Sequence, residues 1–314
     1  MPNRTPRAKS RSERPPVAPT QPPTVSPRWL AAAVGITFVA ALICAWLVLC
    51  LIFWQGSWQL VYHPAKAITR TPASVNLAFD SVGFATTESG EPRLHGWWIP
   101  APNARYTALY LHSASGNLSD TVDALVPLHT AGLNILAFDY RGYGESQFAR
   151  PSEASWREDA TWALNYLANT RNIPINSVVL AGDGLGASLA LEVSADHPEL
   201  AGVVLIQPDT DPLAPIFNDV RARLVPARLL VRDQWNLNAA ASRLRIPSLW
   251  LLPSWPASRM GLPPKPEALS RIQAPRTLSW LTGPEHIGAD ISRVLPQWLD
   301  DLDKHRGVAK PDPQ

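Results

Sequence analysis

The stretch Val178–Val193, VVLAGDGLGASLALEV, runs from an apolar strand through a glycine turn into an alanine-rich helix. Two chemistries use such a turn. One is phosphate cradling by G-x-G-x-x-G/A, in which backbone N–H groups at a helix N-terminus hold a dinucleotide. Gly182, Gly184 and Ala187 fit that spacing, and Asp209 follows the next strand, where a ribose-binding acid would stand. The other is the nucleophile elbow G-x-S-x-G, whose sharp bend presents a hydroxyl for attack on an acyl carbon. Over Gly182–Gly186 its serine position holds Gly184. Ser188 lies one helical turn on, but its neighbours Leu185, Leu189 and Ala190 favour packing over chemistry. Dinucleotide folds place their fingerprint in the first strand-turn-helix unit, and here at least two parallel-type strands come earlier.

Composition removes other sites. Both cysteines, Cys44 and Cys50, lie in one apolar run, so the rest of the chain has no disulfide and no thiolate metal site. The seven histidines show no metal-ligand spacing. Residues 1–28 carry six basic side chains (Arg4, Arg7, Lys9, Arg11, Arg14, Arg28) against Glu13. The whole chain is only +2, so the positive charge sits in one tail and implies no basic face for nucleic acid.

That tail, rich in Pro, Ser and Thr, reads as disordered. From Trp29 to Trp54 no residue is charged. As a helix the run extends roughly 39 Å, enough to cross a hydrocarbon layer of ~30 Å with tilt. Trp29, Trp54 and Trp58 stand near its ends, where indoles favour the interface. A cleaved signal peptide would have a shorter apolar core, about 7–15 residues. LVLC resembles a lipoprotein cleavage site, but Leu49 is bulky where a small residue is needed. The expectation is therefore an uncleaved anchor in the lipid bilayer at 29–54. The basic residues before it keep the N-terminus cytoplasmic and place the domain outside, in the periplasm if the source is bacterial.

The elements that must position the glycine turn follow in order. Residues 55–72 read as a tether. LAFDSVGFAT and RLHGWWIPA form a hairpin around TESGEP. TALYLHS is a buried strand, and SDTVDALVPLHTAG a helix with Ser119 as N-cap. NILAFDY is a strand, and SEASWREDATWALNYLANT a helix burying Trp156, Ala160, Ala163, Leu164 and Leu167 on one face. After the glycine turn come strands AGVVLIQP, IPSLWLLP and RTLSWLTG, then the closing helix DISRVLPQWLDDLDKH. Alternating strands and helices with continuous apolar strands predict a mostly parallel α/β sheet covered on both faces over 73–305. Residues 209–245 are too many for a simple connection and suggest a cap, and 306–314 form a tail.

In its order of motifs the chain resembles the α/β-hydrolase fold family, in the branch with one N-terminal anchor helix. That branch includes animal depalmitoylases and bacterial members of unknown substrate. It reads P…LHGWWIP…LYLHGNAGN…FDYRGYGxS…GxSxG. Here stand LHGWWIP (Leu94–Pro100), LYLHSASGN (Leu109–Asn117), FDYRGYGES (Phe138–Ser146) and GDGLG (Gly182–Gly186). The resemblance covers about 58–302 and implies a serine, histidine and acid acting with two oxyanion N–H donors. The serine falls on Gly184, the histidine on His286 in GPEHIG, and the acid on Ala257, or on Pro256 if the match slides by one. Leu185 supplies one oxyanion donor. The other belongs to the loop after His112, where Ser113, Ala114 and Ser115 replace the family's Gly-Asn-Ala. His112 shapes that loop, and Asp139 and Arg141 brace the sheet edge.

Taken with the anchor, these residues imply a single-pass membrane protein with an extracytoplasmic α/β-hydrolase domain. It needs neither cofactor nor metal and lacks serine-hydrolase activity. It would bind a small acyl or lipid-like ligand or a protein partner. The alternative is an active esterase, thioesterase or amidase using Ser113, Ser115 or Ser188 as nucleophile, with Asp209 or Asp211 as a relocated acid. Turn formation is the plainer role for both aspartates. A dinucleotide-binding protein is the third reading.

Overall fold

The computed structural model describes residues 25–254 and 265–306. The basic tail up to residue 24 and the C-terminal tail from 307 lie outside them, as do the acid positions Pro256 and Ala257. Two units are compact in themselves, one ending at Leu49 and one beginning at Cys50.

Helix α1, Pro27–Gly56, is 30 residues long. Ile36, Phe38, Leu42 and Leu47 along it are exposed, an apolar surface that water does not tolerate on this scale. The Thr37 hydroxyl donates to the Ala33 carbonyl at 2.9 Å, so this polar group is satisfied within the helix.

The second unit is built on an eight-stranded sheet. Its strands are β1 (Asp80–Phe84), β2 (Leu94–Ile99), β3 (Tyr106–Leu111), β4 (Leu133–Asp139), β5 (Val178–Asp183), β6 (Gly202–Ile206), β7 (Ser248–Pro253) and β8 (Arg276–Leu281). The spatial order is β8-β7-β6-β5-β3-β4-β2-β1. β2 runs antiparallel to both β1 and β4, so the hairpin forms where the sequence predicts it. All other neighbours are parallel. Every residue of β3 and β6 is buried, because helices cover both faces.

One face carries α2 (Leu118–Thr130) and α9 (Ile287–Arg306), which pack on each other. Val122, Leu125, Leu295 and Trp298 meet Ala108, Ile135, Val179 and Val204 of the sheet there. α3 (Glu153–Asn169) and α4 (Leu185–Asp196) pack together, and Trp156, Ala160, Ala163, Leu164 and Leu167 are buried as the spacing requires. Two helix starts differ from expectation. α2 is capped by Asn117, not Ser119: Asn117 accepts the Ser119 N–H and Asp120 accepts the Asn117 N–H, a reciprocal box. The Ser119 hydroxyl accepts the Thr69 N–H instead, at 2.8 Å. α9 begins at Ile287, ahead of Asp290.

The stretch expected to be a tether is built into the domain. His63–Pro64 pairs in parallel with Ser115–Gly116. Asn117 Nδ2 donates to the carbonyls of Ala65 and Ala67. Tyr62 is buried, and its hydroxyl donates to Asp233 at 2.6 Å. Residues 209–245 fold as short pieces: α5 (Ala214–Asn218), a 3-10 turn at Val220–Arg223, α6 (Ala227–Leu230) and α7 (Leu237–Arg243). A last short helix, α8, spans Ala268–Arg271.

Trp156 ties these parts together. It stacks on Tyr140 at 3.9 Å and meets Tyr62, Tyr143 and Trp235 edge-on. Its Nε1 has no hydrogen-bond partner among the described residues. Trp156→Ala is expected to cost about 3–5 kcal/mol of stability, the usual range for a large buried aromatic. Trp156→Phe should cost clearly less, since no indole hydrogen bond is lost. Urea unfolding followed by circular dichroism measures both, and equal losses would contradict this account.

Candidate functional site

The glycine turn closes β5 onto α4. Gly184 has φ 56° and ψ −121°, a backbone region that L side chains rarely adopt. Its N–H donates to the Ile206 carbonyl at 3.0 Å, and its own carbonyl accepts the Asp209 N–H at 3.1 Å. The flanking glycines have a steric cause. A Cβ on Gly182 would lie 2.4 Å from the Gly186 carbonyl oxygen, and one on Gly186 only 2.1 Å from that of Leu111. Strand and helix thus approach too closely for a side chain at 182 or 186. At 184 the contact is less severe, for a Cβ would meet only the Ser113 Cβ, tightly, at 3.3 Å. The bend has the shape of a nucleophile elbow and carries no nucleophile.

Facing it is the loop after β3. Leu111 pairs with Gly182 in the sheet, which brings the loop beside the elbow. The loop's carbonyls are held by aromatic hydroxyls: Tyr140 donates to His112 and Tyr143 to Ala114. The His63 N–H also donates to the Ala114 carbonyl, at 2.8 Å. His112 donates from Nδ1 to the Ser113 carbonyl at 2.8 Å. Burial lowers the His112 pKa to about 4, so the ring is neutral near pH 7. Its contact with Asp139 at 3.5 Å is therefore dipolar and not an ion pair. Burial also lifts Asp139, to about 7, opposed by the Leu118 N–H it accepts and by Lys66. Leu185 opens α4, where first-turn N–H groups lack intrahelical partners and one could face an oxyanion.

The other sequence candidates are bonded to one another or to their own neighbours. His286 sits in the 3-10 turn Pro284–His286, its side chain 59% exposed, with Glu285 Oε1 3.4 Å from its Nε2. No hydrogen bond among the described residues joins it to Ser113, Ser115 or Ser188. Ser188 is buried and its hydroxyl donates to the Asp209 carbonyl at 2.8 Å, a packing bond. Asp209 accepts the Asp211 N–H at 3.1 Å, an Asx turn that uses its carboxylate locally. Asp211 accepts the Ala214 N–H through its backbone. Ser115 is exposed and engaged in the short pairing with His63. Arg141 reaches Asp159 at 2.6 Å and bracing is its visible role. Asp183 was not singled out from the sequence. Burial lifts its carboxyl to about 6, partly offset by the Gly184 N–H. The signal was the acid ending an apolar strand beside the elbow.

The sequence profile of the Alpha/beta hydrolase family matches residues 94–310. An uncharacterized protein of Mycobacterium tuberculosis is 29% identical over 65% of this chain and 70% of its own length. The uncharacterized protein YfhR of Escherichia coli is 32% identical over 40% of this chain and 46% of its own. Protein bem46 of Schizosaccharomyces pombe is 25% identical over 44% and 46%. The match therefore spans under half the length of the enterobacterial and yeast relatives. An esterase of Pyrococcus furiosus superposes with a TM-score of 0.55 at 18% identity, covering 78% of this chain and 98% of that one. The α/β hydrolase GrgF from Penicillium gives 0.55 at 19%, over 74% and 100%. At such identity the likeness is one of fold. The glycine turn itself follows the fifth strand in chain order.

Asp139 makes a testable pH dependence. Its carboxyl moves from 3.8 to about 7 on folding. The folded state then binds more protons between those values, and this contribution to stability falls as pH rises through that window. His112, lowered to about 4, acts with the opposite sign and is common to wild type and variant. Asp139→Asn should gain stability relative to wild type between about pH 4 and about pH 7 and hold that gain above it. Thermal unfolding across that range checks it; a difference independent of pH would show an Asp139 ionised throughout.

Proposed function

The chain belongs to the α/β-hydrolase family, and from that premise we propose a membrane-anchored member that binds a ligand without hydrolysing it. The observation that carries this is Gly184 in elbow geometry, with φ 56° and no side chain to attack. The exposure of His286, whose ring has Glu285 beside it and no serine hydroxyl of the elbow region bonded to it, supports it, because an imidazole acts as a base only within reach of the nucleophile. Folds of this kind hold molecules at the C-terminal ends of the strands, where the elbow and the Ser113 loop stand side by side here. The ligand class is a small acyl or lipid-like molecule or a protein partner. One observation favours a second reading, a hydrolase with a displaced nucleophile: Ser113 is the side chain nearest the empty elbow position.

Fluorophosphonate labelling of the full chain in detergent separates the two readings. No labelling above a heat-denatured control is expected. Gly184→Ser should also stay without ester hydrolysis and lose about 1–3 kcal/mol of stability, the strain of a side chain at positive φ. Labelling of the wild type that disappears in Ser113→Ala or His286→Ala would establish the second reading and end the first.

Helix α1 supports the anchor by its length and exposed apolar surface. The basic residues before it support a cytoplasmic N-terminus and an extracytoplasmic domain. Expressed in a bacterium, a C-terminal alkaline phosphatase fusion should be active and a C-terminal green fluorescent protein fusion dark. The reverse pattern would invert the orientation.

A further inference from the structure

Beside the last turn of α1 lies a cavity of about 550 Å³, away from the elbow. Its lining includes Trp54, Trp58, Arg150, Leu230, Arg232 and Asp233. Two arginines share one indole. The Arg150 guanidinium stands 6.0 Å from the Trp54 ring centre and 5.9 Å from that of Trp58, and that of Arg232 stands 5.9 Å from Trp54. Arg150 also donates to the Trp54 carbonyl at 2.8 Å.

The carboxylates nearby are engaged with other donors. Asp233 accepts the Tyr62 hydroxyl at 2.6 Å and the Glu153 N–H at 3.2 Å. Glu153 accepts the Trp235 N–H at 2.9 Å and pairs with Arg157, which also pairs with Glu192 at 2.6 Å. Among the described residues neither Arg150 nor Arg232 makes an ion pair. Partial burial and, opposing Asp233, the like charge of Arg232 lower the Arg150 pKa. Two guanidinium groups with free donors and no carboxylate within ion-pair distance suit an oxyanion with several acceptor oxygens, a phosphate above all.

The segments that carry these arginines also present large apolar side chains. Phe148, just before Arg150, is 85% exposed, and Leu229, just before Arg232, is 83% exposed. Val220 is exposed on the same cap segment, and Arg223 and Arg228 line a second depression there with Phe217. Cations interleaved with exposed apolar groups, beside interfacial tryptophans, suit the headgroup zone of a bilayer rather than open water.

We propose that Arg150 and Arg232 hold the phosphate of an anionic phospholipid in the leaflet that α1 enters at Trp54, with Phe148 and Leu229 dipping into its headgroup region. This rests on the anchor reading above. The lipid fixes the domain on the membrane surface, and the cap segment becomes the face turned to the bilayer.

Native mass spectrometry of the full chain in mild detergent tests it, with phosphatidylglycerol and phosphatidylcholine titrated in turn. Wild type should retain phosphatidylglycerol in preference, and Arg150→Gln/Arg232→Gln should weaken that retention about tenfold or more, through loss of two charge-assisted contacts. Arg271→Gln, whose ion pair with Glu267 lies off the cavity, should leave it unchanged. If the double variant fails to fold by circular dichroism, Arg232→Gln alone serves, since Arg232 donates no hydrogen bond among the described residues. Equal retention by wild type and variant, equal retention of both lipids, or removal of the lipid by inorganic phosphate would each overturn the proposal. Carbonate-washed membranes test the anchor separately. Both proteins should stay in the pellet, and release of the wild type would sink the anchor reading while the lipid titration still reports on the arginines.

Discussion

Helix α4 reaches the ends of β3 and β5 only because no side chain stands between them. The Leu111 carbonyl oxygen would lie 2.1 Å from a Cβ on Gly186, a distance no real contact permits. That approach forces the chain to reverse within one residue, and the residue takes a positive φ. The register of Leu111 against Gly182 and the neighbouring loop follow from it. In a catalytic relative the strain of this bend is offset by the reaction it serves. With glycine at 184 the geometry persists without that strain and without a side chain at the bend.

Around the elbow, groups that could act on a substrate are used to hold the backbone. Ser188 bonds the Asp209 carbonyl, and the Asp209 carboxylate closes its own turn. Tyr140 and Tyr143 place their hydroxyls on loop carbonyls, and the neutral His112 bonds the next residue. Buried polar groups satisfied in this way rigidify a site.

Much of the fold was legible because its signals are local. Continuous apolar runs marked the buried strands, and the spacing of Trp156, Ala160, Ala163, Leu164 and Leu167 marked the inner face of α3. The motif order carried the sheet topology. Both Asn117 and Ser119 suit an N-cap for α2, and only their partners in the fold choose between them. The role of residues 55–72 was hidden because His63–Pro64 finds Ser115–Gly116 across some fifty residues, a pairing without local pattern. At the site, the missing serine was plain in the letters. The solvent exposure of His286 was not, since it depends on how the turn after β8 leaves the sheet.

The freedom of Gly184 also bears on how such a protein changes over generations. A serine arriving there by a single substitution would be judged first on the backbone it distorts. Its benefit would wait on an acid and a reoriented histidine that are not yet in place. Selection therefore meets the penalty before any gain, and the step from glycine to serine at this bend is closed unless other changes precede it.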